Sequence, residues 1–164
     1  MNHMINKQFI FNLVIILIIF FLDRISKVYI LNIAENESVV DITVNSFLNF
    51  ILVWNSGIGF GLMQFDDKII YNIITTLIII INLIIIYLLF NSKRFHQVLF
   101  SMILGGSMGN LYDRIYYSAV PDFIDLNYNG YHWFVFNVAD IFISFGIFTL
   151  IFLELFIIKK SNEK

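Results

Sequence analysis

The chain contains no cysteine and a single proline, and charged residues make up just 13% of its 164 residues. Without cysteine it can form no disulfide, thiolate nucleophile or iron–sulfur cluster. Hydrophobic residues make up 59%, whereas an ordinary soluble domain has about 45–50% apolar and about 25% charged residues. A chain of this length cannot bury so much apolar surface in its own core. The formal net charge of −2 provides no basic stripe for nucleic acid. The composition therefore indicates a polytopic membrane protein that binds no nucleic acid.

Four apolar segments predict an α-helical membrane protein with four transmembrane helices in a single domain, residues 1–164. A spanning helix needs about 20 apolar residues, and the predicted helices cover residues 9–29, 69–90, 97–113 and 137–158. The first helix must continue past its apolar run, through Asp23 and Lys27, to reach the far interface. The third is short and has a G-x-x-x-G spacing from Gly105 to Gly109, which favours close helix packing.

Lysine and arginine lie on one side of this arrangement, which orients it in the membrane. Lys7 precedes the first helix, Lys93 and Arg94 lie between the second and third, and three lysines follow the fourth. Both termini are therefore predicted to be cytoplasmic. On the other side, a segment of about residues 31–68 has alternating apolar residues and several β-branched ones, which predicts a small extracytoplasmic β-sheet between helices 1 and 2.

Ionisable residues at membrane depth are costly and therefore informative. Asp23 and Asp140 each fall about one turn inside the outer interface, Asp113 ends the third helix on that side, and Asp122 follows in the next connection. We expect these carboxylates to converge at the outer leaflet. Two carboxylates at low dielectric can share a proton, so that one activates water as a base while the other acts as an acid.

Several of these residues also have a purely structural explanation. Asp23 with Arg24 and Lys27 fits an interfacial anchor, and Asp113 with Arg114 fits a simple ion pair. Residues 137–140 fit a capping box at the start of a helix, and residues 55–57 fit a turn between strands.

The three histidines do not indicate a metal site. They are widely separated and lack a metal-ligand spacing, so no metal site is predicted at His3, His96 or His132.

These patterns leave more than one function open. A paired-aspartate hydrolase is the chemistry best supplied by the residues, but proton transport also uses buried carboxylates. A transporter typically has paired broken helices near mid-bilayer, whereas these acids gather at one interface. A non-enzymatic assembly factor would use the carboxylates as caps and ion pairs only. Replacing aspartate by asparagine separates these alternatives, because an amide cannot serve in an acid–base pair.

Five sequence blocks resemble the lipoprotein signal peptidase (signal peptidase II) family of bacterial membrane aspartyl peptidases. They follow the family's order over nearly the whole chain: residues 23–27 (DRISK), 55–61 (NSGIGFG), 105–114 (GGSMGNLYDR), 120–123 (VPDF) and 136–140 (FNVAD). Ser26 stands where the family usually has threonine, and Gly59 and Ser107 stand where alanine is common. None of these departures removes a titratable group.

The resemblance implies removal of the signal peptide from diacylglyceryl-prolipoproteins by cleavage just before the lipid-modified cysteine. It implies Asp122 and Asp140 as the catalytic dyad. The residues that would bind substrate or shape the site are Asn55, Gly57, Asn110, Arg114 and Asn137. Structural charges beside the site would be Asp23, Lys27 and Asp113. Asp125 lies outside the matching block, and we predict that Asp125→Asn keeps substantial activity.

The resemblance also implies partners and location. The family needs no metal or organic cofactor, and its partners are lipid-modified prolipoproteins, membrane lipids and the cyclic-peptide inhibitor globomycin. The protein is expected to be a multi-pass monomer of the bacterial cytoplasmic (inner) membrane, with its active site at the outer leaflet.

Overall fold

The computed structural model describes residues 2–37, 39–57, 68–128 and 131–162. Within these ranges the chain forms four helices: α1 (Asn2–Glu37), α2 (Lys68–Asn91), α3 (Arg94–Tyr117) and α4 (Val138–Asn162). It also forms four strands: β1 (Asp41–Asn45), β2 (Leu48–Asn55), β3 (Val120–Tyr128) and β4 (Tyr131–Phe136). The helices coincide with the four apolar segments of the sequence, and α1 extends furthest beyond its predicted ends.

Three of the described helices are long and apolar enough to cross a membrane. These stretches are Lys7–Glu37, Lys68–Asn91 and Val138–Phe156. Many of their large apolar side chains are exposed, among them Leu83 and Phe148. Apolar surface on this scale indicates contact with lipid rather than with water.

The remaining helix, α3, differs from these three because its sequence mixes apolar residues with glycine, asparagine and charged residues. It contacts α1, α2 and α4, and so lies at the centre of the bundle. Asp113 and Arg114 near its end are both buried. Neighbouring elements, rather than lipid, therefore surround Asp113 and Arg114.

Glycines on α3 allow two neighbouring helices to approach closely. A Cβ at Gly106 would lie 2.6 Å from the carbonyl oxygen of Ala139 in α4. A Cβ at Gly109 would lie 2.5 Å from Oδ2 of Asp23 in α1. The predicted packing role of this glycine run is therefore confirmed. The close approach brings Asp23 and the first turn of α4 against α3.

The four strands form one antiparallel sheet in the order β1-β2-β3-β4. The predicted sheet between the first two helices is confirmed for β1 and β2, but β3 and β4 were missed. The prediction is wrong for residues 31–37, which continue α1. This part of α1 stays helical because its residues Ile33 and Ala34 pack against the apolar cluster of Ile30, Val40 and Phe123, beside the sheet. Residues 58–67 of the predicted β segment lie outside the described residues.

The hairpin of β3 and β4 determines where the two helix ends meet. The chain leaves α3 through Ser118, whose positive φ of 58° turns it into β3. It then returns along β4, which ends at Phe136, and enters α4 at Val138. The C-terminal end of α3 and the N-terminal end of α4 therefore lie at the end of the bundle that carries the sheet.

Candidate active site

Asp122 lies in β3 and is almost completely buried, with 2% of its surface exposed. Each of its carboxylate oxygens accepts one hydrogen bond from an asparagine side chain. Asn55 Nδ2, at the end of β2, donates to Oδ2 at 2.9 Å. Asn137 Nδ2, just before α4, donates to Oδ1 at 2.6 Å. Asp122 is thus held by two neutral amides from two different elements.

Asp140 lies in the first turn of α4 and is also buried. Its Oδ2 accepts a hydrogen bond from the backbone N–H of Asn137 at 3.1 Å, and the backbone N–H of Asp140 donates to Asn137 Oδ1 at 3.2 Å. This reciprocal pair is the predicted capping box. The exposed amides at a helix N-terminus also favour a negative charge there, so the cap and a chemical role are compatible.

Asn137 connects the two carboxylates. Its side-chain amide donates to Asp122, while its backbone N–H donates to Asp140. Asn110 on α3 supplies a further donor, from Nδ2 to Asp140 Oδ1 at 2.9 Å. The structure therefore brings Asp122, Asp140, Asn55, Asn110 and Asn137 together in one hydrogen-bonded group.

Beside this group lies a buried ionic cluster centred on Lys27. Lys27 Nζ donates to Asp23 Oδ2 at 2.8 Å, to Asp113 Oδ2 at 2.7 Å and to Asn110 Oδ1 at 2.7 Å. Arg24 also pairs with Asp113. Asp23 and Lys27 are fully buried, which contradicts the alternative of an interfacial anchor. The second oxygen of Asp23, Oδ1, accepts a hydrogen bond from the backbone N–H of Ala139 at 3.0 Å.

Arg114 connects α3 to the segment after β2. Its guanidinium donates to the backbone carbonyl of Gly57 and lies over the ring of Tyr71. The Tyr71 hydroxyl donates to the backbone carbonyl of Arg114 at 2.8 Å. Within the described residues Asp113 pairs with Arg24 and Lys27, so the suggested ion pair between Asp113 and Arg114 is wrong.

The charges of the site leave one carboxylate in excess. The buried cations are Arg24, Lys27 and Arg114, and the buried carboxylates of the two groups are Asp23, Asp113, Asp122 and Asp140. Outside the membrane-spanning segments, burial and, to a smaller extent, the nearby Asp140 carboxylate raise the pKa of Asp122 to about 6. Hydrogen bonds from Asn55 and Asn137 oppose this increase. The Asp122 carboxyl can thus gain or lose a proton near neutral pH.

Asp125 lies on the same strand but has different partners. It is fully buried, and its Oδ2 lies 2.8 Å from His132 Nδ1 and 3.4 Å from Asn49 Nδ2. Successive side chains of a strand point to opposite faces, so Asp122 and Asp125 face opposite sides of β3. The structure separates Asp125 from the group around Asp140.

Reasoning from the sequence missed, among other contacts, the pairing of Asp125 with His132 and the contact of Lys27 with Asn110. No local spacing signals either of them, because strand register produces the first and helix packing the second. Within the described ranges, no group of three or more His, Cys, Asp or Glu side chains is arranged to hold a metal ion.

The fold and the site together define a helical membrane protein with a pair of buried carboxylates, the kind of site that acid–base enzymes use. A model of the Signal peptidase (SPase) II family matches residues 15–156. The chain belongs to the signal peptidase II family, a family of proteases, which confirms the resemblance found in the sequence.

Individual relatives agree with this assignment. The chain is 54% identical over 165 residues to the lipoprotein signal peptidase of Pelagibacter ubique, covering 100% of this chain and 99% of the relative. It is 34% identical over 152 residues to the lipoprotein signal peptidase of Anaplasma phagocytophilum, covering 91% and 94%. A solved bacterial membrane enzyme has 29% sequence identity and a TM-score of 0.71, covering 93% of this chain and 91% of that one.

Proposed function

We propose that this chain is an aspartic endopeptidase that removes the signal peptide from diacylglyceryl-prolipoproteins by cleaving just before the lipid-modified cysteine. Membership of the signal peptidase II family supports the substrate class. The observation that carries the aspartic chemistry is the contact of Asn137 with both Asp122 and Asp140. This contact holds two buried carboxylates in one site, where they can act on the same peptide bond.

The proposed reaction divides proton transfer between the two carboxylates. One carboxylate removes a proton from water as the water oxygen bonds to the peptide carbonyl carbon. The other carboxyl group, in its protonated form, donates a proton to the peptide nitrogen as the C–N bond breaks. The pKa of about 6 at Asp122 supports this division, because a carboxyl that titrates near neutral pH can both hold and release a proton.

The remaining site residues orient this pair. Asn55, Asn110 and Asn137 present amide N–H groups to the carboxylates. Arg114 and Gly57 shape the site by connecting α3 to the end of β2. Asp23, Lys27 and Asp113 are proposed to be structural charges that support it from α1 and α3.

We propose that all four helices cross the bacterial inner membrane, with both termini in the cytoplasm and the site at the outer leaflet. The 24 residues of α3 give a length of about 36 Å, which is enough to cross. The carboxylates lie at the end of the bundle that carries the sheet, while the segment between α2 and α3 at the opposite end carries Lys93 and Arg94. The positive-inside rule then orients the site outward.

An apolar cavity of about 440 Å³ lies between α2, α3 and α4. This cavity supports the proposal that the substrate reaches the site from within the membrane. Ser107 and Ile143 belong to its lining. Asn110 and Asp140 lie one helical turn from these residues along α3 and α4. An apolar chain in this cavity would therefore end close to the carboxylate pair.

We further propose that the enzyme works as a monomer among membrane lipids, without a metal or organic cofactor, and that globomycin inhibits it. A chelator such as EDTA should then leave cleavage unchanged. Loss of cleavage on chelation, restored by one added metal ion, would contradict this part of the proposal.

The deciding experiment is cleavage of a purified lipidated prolipoprotein by the detergent-solubilised protein, with Asp122→Asn and Asp140→Asn measured beside the wild type. We expect cleavage by the wild type and a fall of about 10²–10⁴-fold in each variant, the usual contribution of a general acid or base. Gel filtration and far-UV circular dichroism check that each variant is folded.

The alternative outcomes separate the competing explanations. A folded wild type that leaves confirmed lipidated substrate intact would favour the transporter or assembly-factor explanation. Cleavage that survives in either folded variant would keep the peptidase but move the catalytic pair elsewhere.

A further inference from the structure

Lys27 is a buried, charged side chain that takes no direct part in the proposed acid–base chemistry. Its side chain is fully buried, and its ammonium group makes three hydrogen bonds, to Asp23, Asp113 and Asn110. An ammonium group has three N–H donors and no acceptor. All three donors of Lys27 are therefore used, and each partner must present an oxygen.

This chemistry determines the orientation of the Asn110 amide. The oxygen and nitrogen of an asparagine side chain are distinguished by their hydrogen-bond partners. Because Lys27 can only donate, Asn110 must turn Oδ1 towards Lys27 and Nδ2 away from it. Nδ2 then donates to Asp140 Oδ1 at 2.9 Å.

The other two asparagines of the site are oriented in the same manner, but by backbone groups. Asn55 Oδ1 accepts from the backbone N–H of Gly57 at 2.9 Å, and its Nδ2 donates to Asp122. Asn137 Oδ1 accepts from the backbone N–H of Asp140, and its Nδ2 also donates to Asp122. In Asn110, by contrast, the group that orients the amide is a charged side chain.

We propose that Lys27 is a positioning residue of the peptidase reaction, because it orients the Asn110 amide so that an N–H donor faces the Asp140 carboxylate. This inference rests on the proposed function. Lys27 acts through Asn110 and does not itself contact the substrate. Among the described residues, the charged groups around it are Asp23 and Arg24 of α1 and Asp113 of α3, with Asp140 of α4 and Asp122 of β3 further away.

Arg24 offers a matched control for a substitution of Lys27. Both cations are buried, both pair with Asp113, and both lie on α1. Lys27 contacts Asn110, whereas Arg24 lies over the ring of Tyr112. Lys27→Met and Arg24→Met therefore each remove one positive charge and one partner of Asp113, but Lys27→Met alone removes the group that orients Asn110. Lys27→Met also removes a charge that acts directly on Asp122, so a variant that keeps this charge, Asn110→Leu, is measured beside it.

The test measures kcat, KM and the pH–rate profile of lipidated prolipoprotein cleavage for the wild type and both variants. The acidic limb of such a profile reports ionisation of the carboxylate pair as a unit. In Lys27→Met we expect kcat to fall by about 10-fold or more, and the acidic limb to move to higher pH by about one unit. In Arg24→Met the acidic limb should stay at its wild-type position. KM should change little in either variant.

Asn110→Leu separates the orientation of the amide from the charge of Lys27, because this substitution leaves Lys27 in place and paired with Asp23 and Asp113. It also serves if Lys27→Met does not fold. Asn110→Leu should show the same displacement of the acidic limb. An acidic limb at the wild-type pH in a folded Lys27→Met or Asn110→Leu would overturn the positioning role, as would an equal displacement in Arg24→Met. Absence of cleavage by the folded wild type would instead overturn the proposed function, on which this inference rests.

Discussion

Asp122 and Asp125 lie three residues apart on β3, and both are buried, yet their surroundings differ completely. Asp122 is held by two asparagine amides and shares its site with a second carboxylate at the start of α4. Asp125 meets a histidine and a third asparagine on the other face of the sheet. Burial of a carboxylate therefore does not by itself indicate catalysis. The partners, and above all a second carboxylate within the same hydrogen-bonded group, distinguish the two positions.

The largest expected effect is the difference between two identical substitutions on this strand. Asp122→Asn should lower kcat/KM by about 10²–10⁴-fold, because an amide cannot transfer the proton. Asp125→Asn should keep substantial activity, within about 10-fold of the wild type. Both are measured with the same lipidated substrate, and thermal unfolding in detergent checks that each variant is folded. Equal losses of kcat/KM in two folded variants would contradict the different roles proposed for Asp122 and Asp125.

The next effect concerns the amides that hold each aspartate. Asn137→Ala removes the side chain that contacts Asp122 and caps α4. We expect activity to fall by about 10–100-fold and the free energy of unfolding to fall by about 1 kcal/mol. Asn49→Ala, which removes an amide donor to Asp125, is the matched control and should leave activity near the wild-type level. A larger loss of activity in Asn49→Ala than in Asn137→Ala would reverse the comparison.

A third effect is the dependence of stability on pH that Asp122 introduces. Its pKa is about 6 in the folded chain against an ordinary 3.8, so the folded state binds this proton more tightly than the unfolded state. The stabilisation is present below about pH 4 and is lost as the pH rises through about 6, with an upper limit of about 3 kcal/mol. Asp122→Asn lacks this titration. The melting temperature of the wild type, followed by tryptophan fluorescence, should therefore fall relative to that of Asp122→Asn between pH 4 and 7. A difference that is constant with pH would contradict the raised pKa.

The smallest effect on activity is expected at His132, the exposed partner of Asp125. His132→Ala leaves Asp125 with Asn49 as its donor, and the buried Oδ1 of Asp125 already has no partner among the described residues. We expect a loss of about 1–3 kcal/mol in the free energy of unfolding, with kcat changed by less than about threefold. A loss of cleavage as severe as that of Asp122→Asn, in a protein that remains folded, would place His132 in the reaction.

Sequence reasoning succeeded where a short stretch of chain determines the result. The apolar runs predicted the helices, and Asn137 with Asp140 predicted the capping box, because its partners lie three residues apart. It failed for residues 31–37, which were predicted to belong to the β segment. They are helical because the end of α1 packs against the sheet. Sequence reasoning also missed β3 and β4, because β3 pairs with β2, from which α2 and α3 separate it along the chain.

The candidate site likewise contains features that the sequence predicts and contacts that it does not. The family resemblance singles out Asp122 rather than Asp125, whereas residue type does not distinguish two aspartates on one strand. No local pattern indicates that Asp113 pairs with Lys27 and Arg24 instead of its neighbour Arg114. Adjacent residues on a helix point in different directions, so a charged pair next to each other in sequence need not be a pair in space.

The sequence alone therefore determined that this is a helical membrane protein, which family it resembles, and which carboxylates and asparagines are available for chemistry. These follow from hydropathy and residue type, which are properties of local segments. The tertiary structure decided which groups meet. Lys27 reaches Asn110 across 83 residues, and Asn55 reaches Asp122 across 67. Such contacts arise from glycine-mediated helix packing and from the register of β2 against β3, and therefore exist only once the chain is folded.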